Sequence, residues 1–145
     1  MTQSEWLQIY EIVCVALEVH NELGRGMEEA IYQEAMEREL NLRGMAFETQ
    51  KPLHTYYKGA KMKKLYVADL YISEIMVELK SVSQISSEHR AQLLNYMRIT
   101  KSAKGLLINF GEKSLRVERY LYLPDTDDFI LLTQSNNKQY IVPKN

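Results

Sequence analysis

The run Lys-Gly-Leu-Leu-Ile-Asn-Phe (residues 104–110) limits the possible folds more than any other stretch of the chain. A strand that meets a core on one face alternates apolar and polar residues, whereas a short continuous apolar run belongs to a strand buried on both faces. The segment before it, residues 86–100, has a helical pattern with Leu93, Leu94 and Met97 inward and Ser86 or Ser87 as the N-cap. Ile-Met-Val-Glu-Leu-Lys-Ser-Val (75–82) precedes that helix and reads as a strand. One helix therefore crosses between two strands, which points to an α/β or α+β sandwich.

The flanking segments extend this reading. Residues 4–24 form an amphipathic helix with Ile9, Ile12, Val13, Ala16, Leu17 and Leu23 inward and Thr2 or Ser4 as its cap. A second helix over roughly 27–43 points Met27, Ala30, Ile31, Ala35 and Leu40 inward and stops near Gly44. Residues 46–57 and 61–72 then alternate as strands around a turn at Lys58-Gly59-Ala60. After the buried strand come a strand over 114–123 and a hairpin about Asn136-Asn137, giving the order ααβββαββ with a C-terminal β extension.

A chain of 145 residues favours one domain, here 1–145, that needs no disulfide staple. Its single cysteine, Cys14, falls in an apolar helical pattern and reads as buried core in a reducing cytoplasm. The sequence lacks an apolar run of the ~18 residues a membrane span needs, and its N-terminus lacks a basic-then-apolar signal pattern. The expectation is a cytoplasmic protein.

A net charge of −1 argues against a generic polyanion binder, but the charge is unevenly placed. Residues 1–45 carry nine glutamates against three arginines, while residues 49–68 carry five lysines and no acid. Those lysines are Lys51, Lys58, Lys61, Lys63 and Lys64, interleaved with His54, Tyr56, Tyr57 and Tyr66. The segment is either a lysine-guarded edge hairpin or a phosphate-tracking edge with aromatics for stacking.

The most informative polar residues lie between the second and third strands, separated only by Ser73-Glu74. A two-residue turn there sets Ile72 opposite Ile75, Leu70 opposite Val77 and Asp69 opposite Glu78. One face of the hairpin is then Ala68, Leu70, Ile72, Ile75, Val77 and Leu79, and the other carries Asp69, Glu78 and Lys80. Like charges directly opposed across a sheet are destabilising, so a cation belongs between the acids, and one ammonium cannot neutralise two carboxylates. Mg²⁺ or Mn²⁺ suits two carboxylates, a main-chain carbonyl and waters. The plain alternative is a solvated ion cluster. Two helix faces add polar groups: Gly26, Glu29 and Tyr32 at spacings of three, and His89, Gln92 and Tyr96 at i, i+3, i+7.

Gly26-x-x-Glu29-x-x-Tyr32, then Asp69, Glu78-Leu79-Lys80 and Gln92-x-x-x-Tyr96, resembles the GxxExxY family of the PD-(D/E)XK nuclease superfamily. The family-like core covers about residues 5–119, and residues 120–145 extend beyond it. The proline usual before the aspartate is replaced by Ala68. The resemblance implies a restriction-endonuclease-like core, a mixed central sheet flanked by helices. It implies Asp69, Glu78, the Leu79 carbonyl and Glu29 as metal ligands, and Lys80 as the residue that orients or helps to deprotonate water. Gln92 and Tyr96, with Tyr32 and His89, would support the site.

The function that follows is a Mg²⁺- or Mn²⁺-dependent nuclease acting on DNA rather than RNA in repair or DNA processing. Lys58, Lys61, Lys63 and Lys64 would contact the nucleic acid. The competing reading is a non-catalytic nucleic-acid- or protein-binding module that retains the fold. The apolar Phe-Ile-Leu-Leu-Thr stretch (129–133) offers an edge through which two copies could pair as a homodimer.

Overall fold

The computed structural model describes residues 1–133 and 139–143. Two helices lead, α1 (Gln3–Leu23) and α2 (Glu29–Leu42), followed by strands β1 (Glu48–Tyr57), β2 (Ala60–Ile72) and β3 (Ile75–Lys80). Helix α3 (Ser87–Thr100) crosses to β4 (Lys104–Asn109), and β5 (Arg116–Leu123), β6 (Asp128–Leu132) and β7 (Gln139–Ile141) complete the chain. The seven strands form one sheet in sequence order, antiparallel throughout except where β3 pairs with β4. That parallel pair needs the long crossover that α3 supplies.

The sheet is covered on both faces. Leu70, Ile72, Ile75, Val77, Leu79, Leu106, Ile108 and Phe110 pack against α1 and α2. Ala68, Met76, Leu107, Tyr120 and Tyr122 pack with Leu93 and Met97 of α3 on the other side. Every residue from Gly105 to Phe110 is buried, as a strand between two helical layers must be. Each aliphatic side chain buried there contributes about 1.5–3 kcal/mol.

Local chemistry fixes the helix ends. Thr2 caps α1 and Ser86 caps α3, each through a reciprocal capping box. The inward stripe of α2 is Tyr32, Met36 and Leu40, an i, i+4, i+8 line, so Met27 and Ile31 face outward. Leu17 is also exposed, with Val15, Val19 and His20 taking the buried side of α1. In α2 the stripe is rotated by about one residue from the sequence expectation because Tyr32 serves as a core residue, whereas in α1 Ile9, Ile12, Val13 and Ala16 are buried as expected and His20 joins them. Cys14 is half-buried rather than core. The Phe129–Leu132 edge is not available to a second copy, since β6 pairs with β5 on one side and β7 on the other. The turn expected at Asn136-Asn137 lies outside the described residues.

Candidate active site

The β2–β3 turn forms as the spacing predicts. Ser73 and Glu74 both take positive φ (50° and 64°), and Ile72 pairs with Ile75 and Leu70 with Val77. The ladder then stops. Its next pairs would be Asp69 with Glu78 and Ala68 with Leu79, but neither forms, and Ala68 lies in the α3-side core although Leu70, two residues on, lies in the α1/α2-side core. Alternation breaks at Asp69, so Ala68 does not share the Leu70 face as the sequence suggested. The break extends into β1, where the opposing Gln50 has φ 48°. The two strands separate here as a fork.

Polar side chains take over the ladder's hydrogen bonds in the fork. The Leu79 amide donates to Asp69 Oδ2 at 3.0 Å, and the Asp69 amide donates to Glu78 Oε1 at 3.4 Å. The N–H and C=O of one strand residue lie on the same edge, so the Leu79 carbonyl also points into the fork. Asp69 and Glu78 are thus brought together by the opening of the sheet rather than by cross-strand pairing. Tyr66 donates its hydroxyl to Glu78 Oε1, and its ring stacks on Tyr96 with centroids 3.7 Å apart. Gln92 Nε2 donates to the Tyr96 hydroxyl at 3.1 Å. A brace therefore runs from α3 through two tyrosines to Glu78.

Burial, reinforced by the charge of Asp69, pushes the Glu78 carboxyl up to about 7 against the pull of its hydrogen bonds and Lys80. Burial next to Glu78 also raises the Tyr66 phenol far above its usual range, so it stays a donor. Lys80 follows on the same face of β3 and forms no salt bridge among the described residues.

Helix α2 supplies the other wall. Glu29, Ala30, Gln33, Gln50, Asp69 and Leu79 line a recess of ≈ 200 Å³. Gln33 Nε2 donates to the Asp69 carbonyl at 2.9 Å, which fixes the backbone of the acid. Sequence reading missed Gln33, although it lies four residues from Glu29 and so on the same helix face. It also missed the Tyr66 contact, which exists only because β2 turns at Asp69. Glu29 and Tyr32 do not point to one place. Glu29 is exposed at the recess, while Tyr32 is fully buried, stacked on Phe110 at 4.5 Å.

The Tyr32 hydroxyl donates to the Gly24 carbonyl at 2.6 Å and accepts from the Met27 amide at 3.2 Å. Ser81 Oγ donates to the Met27 carbonyl at 2.5 Å. Gly26, with φ 97°, makes the turn that these bonds hold. The glycine and tyrosine of this motif therefore aim the glutamate from behind. His89 serves α3, its Nδ1 accepting from the Ser86 amide at 3.1 Å, rather than reaching the acids. Lys58, Lys61, Lys63 and Lys64 are all exposed on the β1–β2 hairpin, away from the recess.

The loop that leaves Lys80 is clamped by buried Asn109. Its Oδ1 accepts from the Val82 and Gly111 amides and its Nδ2 donates to the Val82 carbonyl and to Glu112, so all four bonds are made. A side chain at Gly111 would collide with the Val82 backbone.

The donor set fits a hard divalent ion. Asp69 Oδ1 and Glu78 Oε2 carry no hydrogen bond among the described residues, and neither is sealed from solvent. Glu29 does not close with them into a three-acid cluster in these positions. The pair and the Leu79 carbonyl are what the fold assembles; Asp69 and Leu79 share their recess with Glu29, whereas Glu78 meets Asp69 from the α3 side of the fork.

Among the described residues, no helix is long and apolar enough to cross a membrane. No curated protein and no solved structure matches the chain. A family model described as the PD-(D/E)XK nuclease superfamily matches residues 7–120. That match runs from within α1 through both acids, Lys80 and α3 into β5, and the chain belongs to the PD-(D/E)XK nuclease superfamily.

Proposed function

We propose that the protein is a divalent-metal-dependent nuclease of the GxxExxY type that hydrolyses phosphodiester bonds in DNA, in repair or DNA processing, with Mg²⁺ or Mn²⁺ as the ion. Nucleases of this superfamily generally use divalent metals. The observation that carries the reading is Glu78, a half-buried carboxylate beside a second one, with no salt-bridged cation among the described residues. Asp69, Glu78 and the Leu79 carbonyl would hold the ion, with Glu29 completing the set from α2. Bound there, it would polarise a phosphoryl oxygen and supply a water of lowered pKa.

The chain's own residues do the rest. Gln33 holds the Asp69 backbone so that the carboxylate stays in the fork. Tyr66, braced by Tyr96 and Gln92, engages Glu78 Oε1 and leaves Oε2 open. The unpaired Lys80 ammonium offsets phosphate charge and orients the attacking water. Residues 1–145 act as one nuclease-like domain, with β6 and β7 continuing its sheet.

The test is cleavage of single-stranded, duplex and branched DNA and RNA with Mg²⁺ or Mn²⁺. Wild type should cut at least one DNA substrate, and Glu78→Ala or Lys80→Ala should abolish cutting. Inactivity on every substrate with divalent binding intact would instead make the protein a binding module on a nuclease fold.

A further inference from the structure

Strand β2 runs over Ala60–Ile72, yet β3 pairs with only Leu70–Ile72 of it. Beyond the fork its partner is β1 alone, which is itself the edge of the sheet. The base of this two-stranded ribbon rests on the α3-side core through Leu53 and Tyr66. Its outer part rests on nothing described, and every residue from Tyr57 to Leu65 is exposed. Lys61, Lys63 and Lys64 make no salt bridge among the described residues, and Lys58 lies only over the Tyr57 ring. There is no acid between residues 49 and 68 to neutralise them.

We infer that the β1–β2 hairpin is an arm that docks in a groove of duplex DNA and so sets a minimum length of substrate on one side of the cut. The inference rests on the nuclease reading of the Asp69–Glu78 site and names its substrate class. Charge complementarity identifies a polyanion. Geometry favours a duplex, because the adjacent Lys63 and Lys64 point to opposite faces of the strand and want phosphate on two sides. Groove walls supply that; a single strand lying on one face does not. Two strands about 4.8 Å apart with their side chains fit a B-form major groove about 12 Å wide. The deep, narrow major groove of duplex RNA does not admit them.

The ruler follows from the shared strand. Asp69, Lys61, Lys63 and Lys64 lie on β2, with Lys64 five and Lys61 eight residues from the acid. At about 3.3 Å per residue the separation is roughly 17–26 Å, or about 5–8 base pairs at ~3.4 Å each.

The experiment compares wild type with the Lys58→Gln/Lys61→Gln/Lys63→Gln/Lys64→Gln variant. All four side chains are exposed, so Tm should hold, which separates this outcome from misfolding. Metal-free binding of a 20-base-pair duplex is read by anisotropy across a salt series, and cleavage on duplexes whose flank beyond the cut is 3, 6, 9 or 12 base pairs. The slope of log K against log salt should fall by about 3.6 in the variant, at ~0.9 for each of four lost phosphate contacts. Its KM should rise at least tenfold on long duplexes with kcat retained, and wild type should lose its advantage on the 3-base-pair flank. An unchanged salt slope, flank-independent cleavage, or an equal loss on single strands would overturn the arm while leaving the nuclease standing. A wild type that neither binds nor cuts any nucleic acid would overturn both.

Discussion

Glu78 on β3 and Glu118 on β5 flank Leu107 in one row of the sheet, two strand spacings or about 10 Å apart on the α3 face. Each accepts a tyrosine hydroxyl, Tyr66 for Glu78 and Tyr120 for Glu118. They differ in their cations. Arg90 grips Glu118 through Nε at 2.8 and 3.1 Å and its terminal nitrogen at 2.9 Å, and Arg116 adds a further contact at 3.2 Å. Burial pushes the Glu118 carboxyl up, but the bonds from Arg90, Tyr120 and Arg116 outweigh it and hold the carboxyl below its usual range. Glu78 has the same row and face and a second carboxylate beside it, yet among the described residues it forms no salt bridge and feels a cation only through Lys80. The fold can neutralise a buried acid with its own side chains, and does so ten ångströms away. At Glu78 no salt bridge among the described residues does the same.

The largest test of this contrast is catalytic. Glu78→Gln and Lys80→Ala should each lower the cleavage rate on a long duplex by ~10²-fold or more, whereas Glu118→Gln should leave kcat within a few-fold. Equal losses at the two glutamates would erase the distinction.

Stability should show the opposite pattern. Arg90→Ala strands the Glu118 charge and should cost about 2–3 kcal/mol in denaturant titration, less than a fully buried pair because Arg116 remains. A loss within error would make the Glu118 cluster as incidental as a surface pair.

The pH dependence separates the two acids further. Glu78 is raised on folding, so its contribution is fully present below the unfolded pKa near 4.5 and is lost as pH rises through about 7. Metal-free protein should therefore lose about 1–3 kcal/mol over that window, and Glu78→Gln should remove the loss. Glu118 is depressed, so its contribution stands above about 4.5 and fades only as pH falls below that value. Denaturation curves at pH 4, 5.5 and 8 check both signs; a metal-free Glu78→Gln protein less stable than wild type at pH 8 would contradict the first.

The smallest effect concerns Gln33, which touches only the Asp69 backbone. Gln33→Ala should weaken divalent affinity by about tenfold without loss of Tm, measured by calorimetry.

Much of this was legible before any coordinates. The apolar 104–110 run announced a doubly covered strand, and the two-residue gap at Ser73-Glu74 fixed the hairpin register. The motif order singles out Asp69, Glu78 and Lys80, and the fold brings the two acids to one fork in the sheet. What could not be read has physical causes. Alternation implies a continuous strand, so the break at Asp69 was invisible, and with it the Tyr66 bond and the true placement of Ala68. Tyr32 reads in sequence as a polar partner of Glu29 because a phenol carries an oxygen, but its ring belongs to the core and its hydroxyl to a turn. Arg90 and Glu118 lie 28 residues apart in sequence, and nothing local couples a helix arginine to a strand glutamate two elements later.

The most direct measurement is a calorimetric titration of Mn²⁺ into metal-free protein at pH 7, for wild type, Glu78→Gln and Glu118→Gln. The account predicts saturable binding with proton release in wild type, the same in Glu118→Gln, and little or none in Glu78→Gln. No binding in wild type, or undiminished binding in Glu78→Gln, would contradict the claim that Glu78 is kept for a metal.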